Sequence, residues 1–334
     1  MNPRPTAAII LAAGLGKRMR SDLPKVLHPI CGAPMLDHVL GAVEAAGVGR
    51  IYAITGHKGE LVRAHVGSRA ICIDQPERLG TGHAVMQAEA ALADFEGNVI
   101  VTCGDTPLLK TETFLSLLDR ARQSGAAGIV LTTLLDDPKG YGRVVREGGR
   151  GVRKIVEEKD CTAAERQLRE VNTGTYCFDR RALFQALSRV GNNNAQGEYY
   201  LTSVVEIMLE AGDKFEAVIT DDWTEMIGVN SRRDLAEAAR HLRARILNRV
   251  MESGVSIIDP ATTFIDAGVE VGLDTVIEPF TILRGRTVVG EGCHLGPQCE
   301  LIDATIGAGA RVRQSVVEGA GVAAGETVGP FERR

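Results

Sequence analysis

From residue 7 to about residue 228, short apolar runs alternate with segments of helical period. Residues 7–11, 50–55, 70–73, 98–102 and 129–134 read as strands, because each is a run of four to eight residues rich in Val, Ile and Ala. Between them Met35, Leu36, Val39, Leu40 and Val43 repeat at helical spacing before Gly47, and residues 84–92 and 114–121 do the same. Strand alternating with helix predicts an α/β fold around a parallel sheet, whose ligands sit beyond the carboxyl ends of the strands. Residues 231–253 break this rhythm. Leu235, Ala239, Leu242, Ile246 and Val250 make one helical face, Ser231 and Asp234 form a capping pair, and Gly254 terminates it.

After that helix the period becomes six. Ile265, Val271, Ile277, Leu283, Val289, Leu295 and Leu301 stand six residues apart; the phase then slips by one to Ile306 and Val312 and becomes ragged. A hexapeptide period predicts a three-sided parallel β-helix with the aliphatic residue pointing inward, since a sandwich strand would alternate with period two. The expected organisation is a Rossmann-like α/β domain over residues 1–228, a connecting helix over 229–254, and a short left-handed parallel β-helix over 255–334.

The chain has 334 residues, enough to bury a core without covalent staples. A net charge of -5 has the wrong sign for a protein that coats nucleic acid, and no apolar run approaches a membrane span. The seven cysteines are scattered and never spaced as CxxC, which fits a reducing cytoplasm better than a disulfide scaffold or zinc ribbon. Arg4 followed by the apolar stretch 7–13 imitates a secretory leader, but that stretch is short and runs straight into a Gly-rich basic loop.

That loop carries the first chemical signal. Leu11-Ala12-Ala13-Gly14-Leu15-Gly16-Lys17-Arg18-Met19 follows the first strand, with Lys25 soon after. Glycines let the backbone turn its N–H groups toward an anion, and Lys17, Arg18 and Lys25 add full charges. The pattern is neither GxGxxG nor GxxxxGK[ST], so dinucleotide oxidoreductases and P-loop ATPases lose support. A second strand end reads Cys103-Gly104-Asp105. Asp105 is placed either to hold a divalent cation against phosphates or to cap the turn at Thr106-Pro107, and Cys103 reads as a strand residue rather than a nucleophile. No HExxH, GxSxG or cysteine–histidine signature is present. An anion loop with a candidate metal carboxylate points to phosphoryl or nucleotidyl transfer by direct displacement.

These segments resemble a family. LAAGLGKRM with SDLPKVLH, QPERLGTGHAV, GDTPLL, GYGRVV, IVEEKD, EVNTG, NNNAQGEYYLT and GVNSRRDLA are similar to the uridyltransferase half of the bifunctional N-acetylglucosamine-1-phosphate uridyltransferase / glucosamine-1-phosphate acetyltransferase family. The resemblance runs in order from residue 7 to about 331. It implies a cytoplasmic, Mg²⁺-dependent enzyme that makes UDP-N-acetylglucosamine, a cell-wall precursor, and pyrophosphate from UTP and N-acetylglucosamine 1-phosphate. It further implies that Leu11, Ala12, Ala13, Gly14, Gln75, Gly80 and Thr81 hold uridine and that Arg18 and Lys25 act on the phosphates. By the same resemblance Asp105 and Asn230 hold Mg²⁺, and Gly142, Glu157 and Asn172 contact the N-acetylglucosamine. Read without the flanking motifs, Asn172 and Asn230 are turn residues. Leu15 and Lys17 replace the commoner Lys and Thr of the loop, Cys103 stands where a Tyr often meets the sugar, and Ser203 replaces an Asp. Residues 265–331 make roughly four coils, fewer than the family's arm, so a homotrimer is expected and acetyltransferase activity is not. The alternatives are a related enzyme with another sugar or base and a catalytically idle regulatory homologue.

Overall fold

The computed structural model describes residues 4–148 and 151–334. The chain divides into two compact units. One holds the residues up to His28 together with Met35–Asp234, and the other holds Pro29–Pro34 together with Leu235–Arg334.

The first unit is built on one sheet, in spatial order Phe215–Ile219, Gly128–Leu134, Glu170–Asp179, Asn98–Cys103, Thr6–Ala12, Arg50–Thr55 and Ile71–Asp74. The strand Thr6–Ala12 is buried on both faces. Ala7 and Ile9 enter one apolar cluster with Leu183, Leu187, Val204 and Met208, while Ala8 and Ile10 enter another with Leu36, Val39, Phe114 and Leu117. Alternate residues point to opposite faces, so covering both sides with helices requires the unbroken apolar runs seen in the sequence. The result is the Rossmann-like α/β layering the alternation predicts.

The sheet is not wholly parallel. Glu170–Asp179 runs antiparallel to both Asn98–Cys103 and Gly128–Leu134, whereas Thr6–Ala12 is parallel to both of its neighbours. A parallel return needs a long crossover, usually helical. The chain instead enters this strand from the hairpin Arg143–Glu147 with Gly151–Val156, and residues 157–169 supply only the short 3₁₀ turn Glu165–Gln167. The helical period over 84–92 likewise resolves into the helix Thr81–Met86 and the 3₁₀ turn Ala90–Leu92.

The second unit contains the rest of the helix Arg232–Glu252, the small hairpin Pro29–Pro34, and a left-handed parallel β-helix. Every third short strand pairs in parallel, giving three sheets, as in Phe264–Ile265 beside Ile282–Arg284, Glu300–Ile302 and Val316–Glu318. Ile277, Leu283, Leu295, Leu301, Val312, Val317 and Val328 are fully buried along its axis. Register explains the ragged end of the repeat. Leu283 pairs with Leu301, but Val289 pairs with Ile306 and Leu301 with Val317, so later coils have shortened corners and the inward residue stays in line. One corner column demands glycine, because a Cβ at Gly272, Gly290 or Gly307 would come within 2.6, 2.7 and 2.5 Å respectively of backbone in the next coil. Such contacts lie far inside van der Waals distance.

Candidate active site

The chemistry gathers where strands of the first unit end. Thr6–Ala12 runs on into Ala13 and Gly14, and Gly16 turns the chain at φ 59°. A Cβ on Gly16 would sit 2.9 Å from Lys25 Cβ, so glycine is what allows the loop to close over Lys25. Val26 and Leu27 are buried and anchor the short turn that begins at Lys25. One strand over, Leu11 pairs with Cys103 and accepts a bond from Gly104 N at 2.9 Å, which delivers Asp105 to the same edge. Asp105 O in turn accepts from Val229 N at 2.9 Å, and this bond draws in Asn230.

Lys25 Nζ donates to Asp105 Oδ2 in a short ion pair and to Asn230 Oδ1 at 2.9 Å. Three residues separated by up to 205 positions thus meet at one point. Asn230 is fixed from behind: Asp234 Oδ2 accepts from the N–H groups of Asn230 at 2.9 Å and Ser231 at 2.8 Å, while Ser231 Oγ accepts from Asp234 N at 3.3 Å. The capping pair at the helix start is therefore also the support of Asn230.

The far wall comes from the Gln75–Thr81 loop. Gln75 is buried, donates its backbone N–H to Thr55 O at 2.7 Å, and donates its side-chain amide to Gly80 O at 3.2 Å. Gly80 lies at φ 114°, and a Cβ there would meet Tyr199 O at 2.6 Å. Tyr199 N donates to Leu79 O, Gly82 N to Tyr199 O, and Leu201 N to Thr81 Oγ1, so the segments QPERLGTGHA and NNNAQGEYY are stitched together. The open cavity measures about 290 Å³ and is lined by Leu11, Ala12, Ala13, Gly14, Lys25, Gln75, Gly80, Thr81, Cys103 and Asp105, with Val26, Arg78, Ala84 and Glu198.

Gly142, Glu157 and Asn172 form a neighbouring group. A Cβ on Gly142 would lie 3.6 Å from Glu157 Oε2, and Gly142 O accepts from Asn172 N at 2.9 Å. Asn172 Oδ1 accepts from Gly174 N, and a Cβ on Gly174 would reach Cys103 Sγ at 3.4 Å, which ties this group to the cavity. Burial raises the Glu157 carboxyl above its ordinary range, the bond from Thr202 Oγ1 at 3.1 Å opposes that, and the charges of Asp160 and Glu198 add to it. Burial also pushes the Cys103 thiol up to about 12, so it is no nucleophile at neutral pH.

Residues 8–201 match the MobA-like NTP transferase domain. Over 324 residues the chain is 48% identical to the bifunctional protein GlmU of Geobacillus sp. (strain WCH70), covering 97% of this chain and 71% of that protein. With the same coverage it is 49% identical to the bifunctional protein GlmU of Halalkalibacterium halodurans and 43% to that of Listeria monocytogenes serotype 4a. The chain belongs to the GlmU family.

It is accordingly a nucleotidyltransferase acting on a nucleotide and a sugar phosphate. Among the described residues no helix is long and apolar enough to cross a membrane, and all seven cysteines are unpaired. Within the GlmU-type site the structure brings Lys25, Asp105 and Asn230 together, and gathers the loop at Leu11–Gly14, Gln75, Gly80 and Thr81 around one cavity. Arg18 stands apart from these, exposed on the turn Lys17–Met19 and outside the cavity lining. Sequence reasoning did not single out Arg78 or Glu198, although both lie inside segments it used. Their proximity to Gln75 and Tyr199 is the signal that would have found them.

GlmU-type nucleotidyltransferases generally use a divalent metal, and the donor set here fits one. Asp105 Oδ2 and Asn230 Oδ1 converge on a single cationic nitrogen, which shows that the position already stabilises positive charge. Both are hard oxygen donors. Among the described residues no group of three His, Cys, Asp or Glu side chains surrounds a common point. Two oxygen donors suit a hard divalent cation that keeps several waters and takes further oxygens from substrate phosphates.

Proposed function

We propose that the chain is a UDP-N-acetylglucosamine pyrophosphorylase: UMP passes from UTP to N-acetylglucosamine 1-phosphate and pyrophosphate leaves. The observation that carries this is the meeting of Lys25, Asp105 and Asn230 at one end of a cavity whose other wall is the Gln75–Thr81 loop. A sugar-phosphate oxygen attacks the α-phosphorus, a new P–O bond forms, and the bond to the departing pyrophosphate breaks. The attacking phosphate is already deprotonated at neutral pH, so no general base is required. What remains is positioning and charge neutralisation. Lys25 and Arg18 supply positive charge for the leaving pyrophosphate. Asp105 and Asn230 would hold Mg²⁺, which neutralises phosphate charge when bound. Gln75, with the Gly80-Thr81 backbone, presents amide groups to a pyrimidine edge, while Gly142, Glu157 and Asn172 border the sugar. The test is pyrophosphate release with UTP, Mg²⁺ and N-acetylglucosamine 1-phosphate beside glucose 1-phosphate. Equal rates with both sugars would favour the reading, motivated by Cys103 beside the sugar group, of a relative with a different sugar.

The β-helix supports two further parts of this proposal. Phe264 and Val288 stay 45% and 43% exposed on its flat sides, an apolar surface suited to a homotrimer. Sedimentation velocity at micromolar concentration checks it, a single monomer boundary being the contrary result. His294 is the one histidine within residues 255–334, and it faces Glu278 at 3.3 Å. This 334-residue polypeptide is expected to give no thiol release with acetyl-CoA and glucosamine 1-phosphate.

A further inference from the structure

The cavity contains a cation that the reaction as described does not use. Arg78 lines it from the loop between Gln75 and Gly80, is exposed, and makes no ion pair or side-chain hydrogen bond among the described residues. The other cation in the lining, Lys25, is committed to Asp105 and Asn230. Glu198 lines the same cavity and likewise has no cationic partner there. Without Arg78 the side chains of the lining would be two carboxylates and one ammonium, leaving the proposed metal as the one source of excess positive charge for a polyanion. A guanidinium is always charged, presents a fork of donors that matches phosphate oxygens, and needs no pKa adjustment to do so.

We propose that Arg78 is a nucleotide-binding residue that engages the phosphates of the bound nucleotide. The inference rests on the nucleotide reading of this cavity but not on which base or sugar is used. Arg78 thereby adds to nucleotide affinity, whereas Lys25 acts at the reacting end. Because Arg78 is exposed and unpartnered, replacing it leaves folding intact, and an unchanged thermal midpoint verifies that.

The experiment is calorimetric titration of the whole chain, wild type and Arg78→Gln, with UDP and separately with uridine. Arg78→Gln should weaken UDP binding about tenfold, the scale of one charge-assisted hydrogen bond, with uridine affinity unchanged. Arg78→Lys should recover part of the loss, because it restores the charge without the fork. Unchanged UDP affinity in Arg78→Gln overturns the proposal. So does an equal loss for uridine, which would put the guanidinium on the base instead. Should the wild type bind ADP in preference to UDP, the uridine reading fails, and repeating the comparison with ADP and adenosine still decides the role of Arg78.

Discussion

In the β-helix each inward residue repeats the surroundings of the one before, so Leu283 sits between Ile265 and Leu301 in a column of similar side chains. In the sheet unit no two strands end alike. Gly14, Asp105 and the Gln75 loop each follow a strand edge, and each is held by a different set of bonds: Gly104 N to Leu11 O, Val229 N to Asp105 O, Gln75 N to Thr55 O. Repetition distributes stability along an axis of nearest-neighbour contacts. Irregular strand ends spend backbone order on bringing distant residues to one point. Changes inside the coils should therefore alter stability, and changes at the strand ends should alter turnover.

The largest effect expected is Leu283→Ala. Leu283 is fully buried on the coil axis, and removing it should cost about 2–5 kcal/mol in the unfolding of that unit while nucleotidyl transfer per folded molecule stays unchanged. Denaturant melts monitored beside activity check this. A fall in turnover matching the fall in stability would break the separation of roles. Asp105→Ala should do the reverse. It removes the carboxylate that Lys25 pairs with, and kcat should fall at least ~10²-fold, the scale of one major electrostatic contributor. Near-normal turnover with Mg²⁺ would remove Asp105 from the chemistry.

How much was legible beforehand follows the same division. The coils could be read because period six is a local property of the chain, and even the phase slip after Leu301 proved to be shortened corners rather than lost structure. The strand-end residues were legible through motifs, since Gly14, Lys25 and Asp105 lie at positions that elementary α/β geometry marks out. The antiparallel course of Glu170–Asp179 was not, because the choice depends on whether a crossover helix fits between 157 and 169, a tertiary question. Arg78 and Glu198 escaped for a related reason: one exposed charge in a loop looks like any other until the cavity wall is drawn. Asp234 was read as a cap, and its second bond to Asn230 N appears only in three dimensions.

Two intermediate effects sharpen the picture at the proposed base wall and behind the proposed metal ligands. Gln75→Ala deletes a buried amide fixed by Gly80 O; it should cost about 1–3 kcal/mol in kcat/KM for UTP and narrow the preference over ATP. Asp234→Ala removes the acceptor shared by Asn230 N and Ser231 N. The lost cap should cost ~1 kcal/mol of stability, and the Mg²⁺ concentration for half-maximal rate should rise by about tenfold, as for other residues that orient a metal ligand. Manganese binding followed by electron paramagnetic resonance separates the second effect from a general loosening. An unchanged manganese affinity would leave Asp234 a cap alone.

The smallest effect is also the most diagnostic of a site built at the expense of stability. Glu157 is half-buried, and desolvation raises its carboxyl above the ordinary 4.5. A folded-state pKa above the unfolded one means the native state holds this proton more tightly. Well below 4.5 both states are protonated and Glu157 contributes nothing to the pH dependence. As pH climbs through 4.5 and past the raised folded value, stability is lost, and at neutral pH the charged carboxylate is a constant cost. Glu157→Gln keeps the shape and an acceptor for Thr202 Oγ1 without the charge. The variant should match wild type at acid pH and exceed it at neutral pH in urea midpoint, while its KM for the sugar phosphate rises. Equal midpoints at both pH values would mean that the carboxylate is solvated well enough to carry no such penalty.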